Sequence, residues 1–166
     1  AIDGTGPTGE VLVRGPQVMA GYWPDLTPPA DGWLRTGDIG RLDGTGRLWI
    51  VDRAKDVIIT GGENVSSREV EDALSTHPDV DSVAVVGVPD EYWGEAICAV
   101  VVPRAGATPS PEALESHVRE RVSAFKRPRH VLFVDELPLT GNGKVDKLLV
   151  RDFARRTVTG ADVTAD

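Results

Sequence analysis

Cysteine is almost missing from this chain. Cys98 is alone among 166 residues, which excludes an internal disulfide framework and any cysteine-based zinc site. A reduced, cytoplasmic setting is the expectation. Aromatic residues are scarce as well: four Trp, two Tyr and three Phe. A core must therefore be built from Val, Ile, Leu and Ala. Long apolar runs are absent, and none approaches the roughly 20 residues needed to span a membrane as a helix. Positive charge is in deficit, with 18 Lys and Arg against 26 Asp and Glu, a net charge of −8. That balance argues against a general nucleic-acid binder. What remains is a globular balance of 40% apolar and 27% charged residues, with 18 Gly and 12 Pro to supply turns. The length suits one domain, or one domain and a piece of another.

Residues 1–52 read as short antiparallel strands without a helix. The turn-rich stretch Gly4-Thr5-Gly6-Pro7-Thr8-Gly9 leads into the alternating segment Glu10 to Arg14. Pro28-Pro29 punctuates the chain, and Ile39 to Asp43 and Arg47 to Val51 flank the hairpin signal Asp43-Gly44-Thr45-Gly46. Such a piece is too small to bury a core alone. From residue 53 the pattern becomes mixed. Val57 to Thr60 is strand-like. Ser66-Ser67-Arg68-Glu69 is a capping box, with Ser66 as N-cap and Glu69 reaching back, and Val70, Ala73 and Leu74 follow as one helical face. Ser82 to Val88 and Ala96 to Val102 are continuous β-prone runs of buried-strand type. Ser110 and Pro111 open a second helix with the face Leu114, Val118 and Val122. Val131 to Val134 is a further strand, and Leu148 to Phe153 gives one or two last helical turns. The fold expected is α+β: residues 53–155 form a small domain with one sheet flanked by helices, preceded by the strands of 1–52. Residues 156–166 read as a disordered tail.

Five stretches could carry chemistry, and each has a plainer explanation. Thr36-Gly37-Asp38 reads as a turn between two short strands; its carboxylate could accept both hydroxyls of a ribose or bond its own backbone. Asp52-Arg53-Ala54-Lys55-Asp56 lies at the change of pattern and could be a hinge or a solvated charge run. Gly61-Gly62 could allow close backbone approach to a ligand or simply turn a hairpin. Leu139-Thr140-Gly141-Asn142-Gly143-Lys144 is no phosphate loop, because that pattern needs glycine where Pro138 stands and Ser or Thr where Val145 stands. It leaves a lysine on a glycine-flanked loop, able to reach into a site or to sit in solvent. Between His117 and His130, Arg119, Arg121, Lys126, Arg127 and Arg129 face one acid, Glu120. This basic patch suits a small polyanion, with Phe125 available to stack on a base; equally, Phe125 could be core and the arginines paired with acids.

The order and wording of these stretches together resemble the C-terminal part of the adenylate-forming superfamily: acyl-CoA synthetases, luciferases and the adenylation domains of peptide synthetases. The stretches are Gly9-Glu10-Val11 to Gly21-Tyr22-Trp23, Asp31 to Asp38, Val51 to Ile59, Gly61 to Val65, Val86 to Asp90, Trp93-Gly94-Glu95, Phe125 to Pro128 and Leu137 to Lys144. The resemblance implies a small rotating lid domain preceded by the end of a β-barrel-like subdomain. It implies that Asp38 and Arg53 contact ATP or AMP, that Lys55 is the hinge, and that Lys144 is the catalytic lysine of adenylation. It further implies that Gly61 and Gly62 line a pantetheine channel and that Trp93, Phe125, Arg127 and Arg129 meet the nucleotide of CoA. No metal ligand is implied within the chain; Mg²⁺ is expected mainly on a large N-terminal domain, whose phosphate loop and acyl pocket are not in this sequence. The expected function is that of a C-terminal fragment of an ATP-dependent acid–CoA ligase, with a carboxylic acid, ATP and CoA as partners and without activity alone. A ligase that loads a carrier-protein pantetheine, or an inactive docking module, are the alternatives.

Overall fold

In the computed structural model, residues 8–21, 23–24 and 30–160 are described, the side chain of Ala30 excepted. Most of the lead-in at residues 4–9, the prolines Pro28-Pro29 and the end of the tail, 161–166, lie outside the described residues. The chain divides into two compact units, 1–55 and 56–166.

The first unit is a three-stranded antiparallel sheet in the order β1 (Gly9–Val13), β2 (Leu34–Leu42), β3 (Leu48–Arg53). The β2–β3 hairpin turns at Asp43, as its sequence predicts. The Asp43 carboxylate accepts hydrogen bonds from the backbone N–H of Thr45 and Arg47, from the Thr45 hydroxyl and from the Trp49 indole. These donors hold its pKa far below the usual carboxylate range, the Thr45 hydroxyl bond most of all. Thr36-Gly37-Asp38 is not a turn between strands. It is a bulge inside β2, opposite Val11, because Leu12 pairs with Arg35 and Glu10 with Ile39. Gly37 takes a φ of 70° there, and the strand continues through it.

The second unit holds a five-stranded sheet. Its members are β4 (Val57–Thr60), β5 (Glu63–Ser66), β6 (Val80–Asp90), β7 (Gly94–Pro103) and β8 (His130–Phe133). The order runs β5-β4-β7-β6, and β8 joins β7 in parallel. Helices α1 (Ser67–Ser75), α2 (Pro111–Arg119) and α3 (Lys147–Thr159) cover it. Alternation along β7 explains its unbroken apolar run. Ile97, Ala99 and Val101 pack with Val70 and Leu74 of α1 and Leu114 and Val118 of α2. Ala96, Cys98, Val100 and Val102 pack with Val150 and Ala154 of α3. Both faces are buried, so every position is apolar. Burial pushes the Cys98 thiol up to about 12, which leaves it unreactive.

The caps at Ser66 and Ser110 form as the sequence predicts, each hydroxyl accepting the N–H three residues on. The second half of the capping box does not form in that way, since the Glu69 carboxylate goes to Lys126. Helix α3 is longer than expected and runs to Thr159, with Gly160 as a left-handed C-cap. Residues 156–159 are therefore helix and not tail. The stripe Val150, Ala154 and Val158 carries the helix on, and Asp152 pairs with both Arg155 and Arg156 on its exposed side. No described helix is long and apolar enough to cross a membrane.

Candidate functional site

In the first unit the fold brings Asp38 and Arg53 together. They are cross-strand partners of β2 and β3, and Arg53 Nε lies 2.8 Å from Asp38 Oδ1. The bulge is braced by Thr36, whose hydroxyl donates to the Val11 carbonyl (2.8 Å) and accepts from the Asp38 N–H (3.0 Å). The Asp38 backbone is thus fixed by Thr36 and its carboxylate by a cation, and the carboxylate stays partly open to solvent. Such a carboxylate can accept hydrogen bonds from a diol. Lys55 is exposed in a 3₁₀ turn, Ala54–Asp56, where the two units meet in sequence.

In the second unit Gly61 and Gly62 form the β4–β5 turn with φ of 59° and 82°, a pairing that favours glycine at both positions. The Gly61 N–H donates to the Trp93 carbonyl (2.9 Å). A Cβ on Gly61 would sit 2.7 Å from the Trp93 ring, so the indole requires glycine there. Trp93 is itself fixed at both ends. Its N–H and that of Tyr92 donate to Asp90 Oδ1 at 2.8 and 2.9 Å. Those bonds, that from Trp93 foremost, lower the Asp90 pKa. On the ring lies the Arg129 guanidinium, 4.4 Å from the centroid. Glu95 anchors the same hairpin, accepting the Ile59 N–H at 2.7 Å.

Arg129 continues into an open cavity of about 270 Å³, lined with Phe125, Arg127, Pro128, Ala124 and Glu115. Phe125 is 48% exposed, so it is not core. Phe125 is thus available at the surface, while Lys126 and Arg127 are paired with acids. Arg127 pairs with Glu115 (2.7 Å) and donates to the Ala124 carbonyl (2.9 Å), and Lys126 pairs with Glu69 (2.7 Å). These contacts fix the arginine fork while its edge lines the cavity.

Lys144 stands apart. Leu139 and Val145 form a β-bridge, closing a tight hairpin. Thr140 braces it: its N–H and hydroxyl donate to the Lys144 carbonyl at 2.7 and 2.9 Å, and its carbonyl accepts the Gly143 N–H at 2.9 Å. The hydroxyl also pairs with the Asn142 amide oxygen. The loop expected from its glycines is thus a tied turn, and the exposed Lys144 ammonium projects from it with no partner among the described residues. Within the second unit, no hydrogen bond, ion pair or ring contact among the described residues joins Lys144 to the Trp93 cluster. No group of three His, Cys, Asp or Glu side chains among the described residues is arranged to hold a metal.

The bracing contacts of Thr36, Asp90 and Glu115 were not assigned from the sequence, although Thr36 and Asp90 lie in stretches it singled out. Asp90 had a local signal, an Asx turn two and three residues before Tyr92 and Trp93. Glu115 had none, because it meets Arg127 only after α2 has packed.

Comparison with known proteins gives this geometry a family. Residues 69–144 match the AMP-binding enzyme C-terminal domain. The chain is 49% identical over 155 residues to an indoleacetate–CoA ligase of Aromatoleum aromaticum, covering 91% of this chain and 30% of that protein. It is 50% identical over 157 residues to the medium/long-chain-fatty-acid–CoA ligase FadD8 of Mycobacterium tuberculosis, with 88% and 28% covered. Among solved structures it superposes on the amide bond synthetase McbA of Marinactinospora thermotolerans with a TM-score of 0.80 at 49% identity, over 89% of this chain and 31% of that one. The chain spans about 30% of the length of the curated relatives it matches. By the matched domain, the α+β fold and these relatives, the chain belongs to the adenylate-forming superfamily, as its C-terminal part.

Proposed function

We propose that this chain serves an ATP-dependent acid–CoA ligase, with residues 1–52 closing a large N-terminal domain and 53–155 forming the lid that rotates on it. The observation that carries this reading is the Lys144 hairpin. A cation without a partner among the described residues stands on a backbone-braced turn at the end of the segment that matches the AMP-binding C-terminal domain.

In the first half-reaction a substrate carboxylate oxygen attacks the α-phosphorus of ATP. The bond to the β,γ-phosphates breaks, giving an acyl-adenylate and pyrophosphate. Negative charge gathers between the carboxylate and the α-phosphate, and Lys144 stabilises it. Asp38 accepts the ribose hydroxyls, with Arg53 orienting the carboxylate from the neighbouring strand. In the second half-reaction the thiol of CoA loses its proton, its sulfur attacks the acyl carbon, and the bond to AMP breaks. The lid turns about Lys55, Lys144 withdraws and the Gly61-Gly62 turn arrives to border the pantetheine arm. The Trp93, Phe125, Arg127 and Arg129 surface takes the nucleotide end of CoA, by stacking and by charge. Mg²⁺ would be held mainly by the large N-terminal domain, as the superfamily resemblance implies, where it would neutralise phosphate charge.

The test is pyrophosphate exchange by the full-length enzyme over a panel of carboxylic acids, followed by acyl transfer to CoA, to a holo carrier protein and to amines. Exchange with at least one acid and transfer to CoA support the reading. Exchange with none favours the docking module. A second reading is favoured by the 49% identity to an amide bond synthetase: transfer to an amine in preference to CoA would assign that acceptor instead.

A further inference from the structure

Helix α3 starts three residues after Lys144, and its first residue, Lys147, does not reach for solvent. The Lys147 side chain is only 19% exposed. Its ammonium donates to Ser67 Oγ at 2.6 Å and pairs with Glu71 Oε1 at 2.8 Å. Ser67 is wholly buried, and the same Glu71 oxygen accepts the Val85 N–H at 2.8 Å. One ammonium therefore ties the start of α3 to α1, and through Glu71 to β6. A cation at a helix N-terminus opposes the helix dipole, so the stability of α3 by itself does not call for lysine here. The cap is supplied separately by Asp146, which accepts the N–H groups of Leu148 and Leu149. One turn further on, Arg151 approaches Asp56 at 3.9 Å, beside Lys55.

The Lys144 hairpin has few anchors of its own. Among the described residues its polar contacts are internal, apart from the Asp146 N–H bonded to the Pro138 carbonyl at its base (2.8 Å). Past Val145 the chain enters α3 directly. A tilt of the first turn of α3 would be passed straight to Lys144.

We propose that Lys147 is a positioning residue for Lys144: anchored on Ser67 and Glu71, it fixes the first turn of α3 and thereby the position of the Lys144 ammonium. This rests on the reading that Lys144 serves adenylation. Misplacing a charge-stabilising group by about 1 Å costs on the order of 100-fold in rate.

The experiment uses the full-length enzyme and separates the half-reactions. Lys147→Met should lower kcat of pyrophosphate exchange by about 10- to 100-fold, with KM for ATP little changed. Thioester formation from supplied acyl-adenylate should stay within about two-fold of wild type, because Lys144 has withdrawn from that step. Lys147→Arg, which keeps charge and reach, should recover most of the exchange rate. Ser67→Ala should shift the same ratio in the same direction by less, and it carries the test if Lys147→Met does not fold. Equal loss in both half-reactions, or a lowered Tm with exchange intact, overturns the positioning role. Lys144→Ala is the control. If it leaves exchange intact, the reading of Lys144 fails; if it abolishes exchange while Lys147→Met and Ser67→Ala do not slow it, only the positioning role fails.

Discussion

Two glycine-containing hairpins of the second unit look alike in sequence and are packed in opposite ways. At the β4–β5 turn we propose that the backbone is the working part. Gly61 lies against the Trp93 ring, so that a single added carbon would collide with it, and its N–H is bound to the Trp93 carbonyl. At the 139–145 hairpin we propose that the side chain is the working part. Gly141 and Gly143 have open space around them, and the turn presents an exposed Lys144. Glycine marks close approach in the first hairpin and turn geometry alone in the second. The difference lies in what packs against each turn, and Trp93 is 32 residues from Gly61 in the chain.

The largest expected effect tests the side-chain hairpin. Lys144→Ala should cut pyrophosphate exchange by about 10²–10³-fold, as for the loss of one preorganised charge-stabilising donor, and should largely spare the thioester step from supplied adenylate. Equal losses would remove the distinction between the two hairpins.

Next comes the surface behind the backbone hairpin. Arg129→Glu should raise KM for CoA by about 10-fold or more, the value of a lost charge-assisted hydrogen bond, and should leave exchange unchanged. The effect should be smaller for free pantetheine, which has no nucleotide phosphates. Arg127→Glu should do less than Arg129→Glu, because Arg127 is already paired with Glu115.

Gly61→Ala compares the hairpins directly. It places Cβ at a φ of 59° and against the indole, so thioester formation should fall by roughly 10-fold and unfolding stability by about 1–3 kcal/mol. Gly141→Ala, with neither obstacle, should match wild type in both half-reactions and in thermal melts. Alanine variants that behave alike would end the comparison.

The smallest effect concerns the α1–α2 contact, which carries neither hairpin. His117 meets His77 edge-on at 4.9 Å and Thr76 at 2.8 Å. Burial first, then Arg121 and His77, hold its pKa below the usual histidine value. The folded state thus binds this proton less readily than the unfolded chain. The contribution is fully present above about pH 6.5 and is lost as pH falls from there toward the lowered value. Tm should drop slightly over that window, the drop should vanish in His117→Asn, and the ratio of the half-reaction rates should not move.

Legibility in the sequence followed the range of the interaction. The serine caps and the Asp43 turn were readable because donor and acceptor are within four residues. The runs Ser82–Val88 and Ala96–Val102 were readable as buried strands because they are apolar almost throughout, and the structure shows helices on both faces of them. The bulge at Thr36–Asp38 was not readable, since it depends on which residue of β1 faces it. Nor was the diversion of Glu69 to Lys126, 57 residues away. The end of α3 was misjudged because its last turn is polar except for Val158.

By itself, then, the sequence determined most of the elements, the two serine caps, the Asp43 turn and the ordered motifs that identify the superfamily. All of these rest on contacts between near neighbours or on the wording of short segments. Only the tertiary structure decided which acid neutralises which cation, that Phe125 is exposed, that Gly61 is pinned to Trp93 while Gly141 has open space, and that Lys147 is tied to α1 while Lys144 has no partner among the described residues. Charges and glycines carry no address in a sequence; a partner is chosen only when packing has removed water and brought distant segments within a few ångströms of one another.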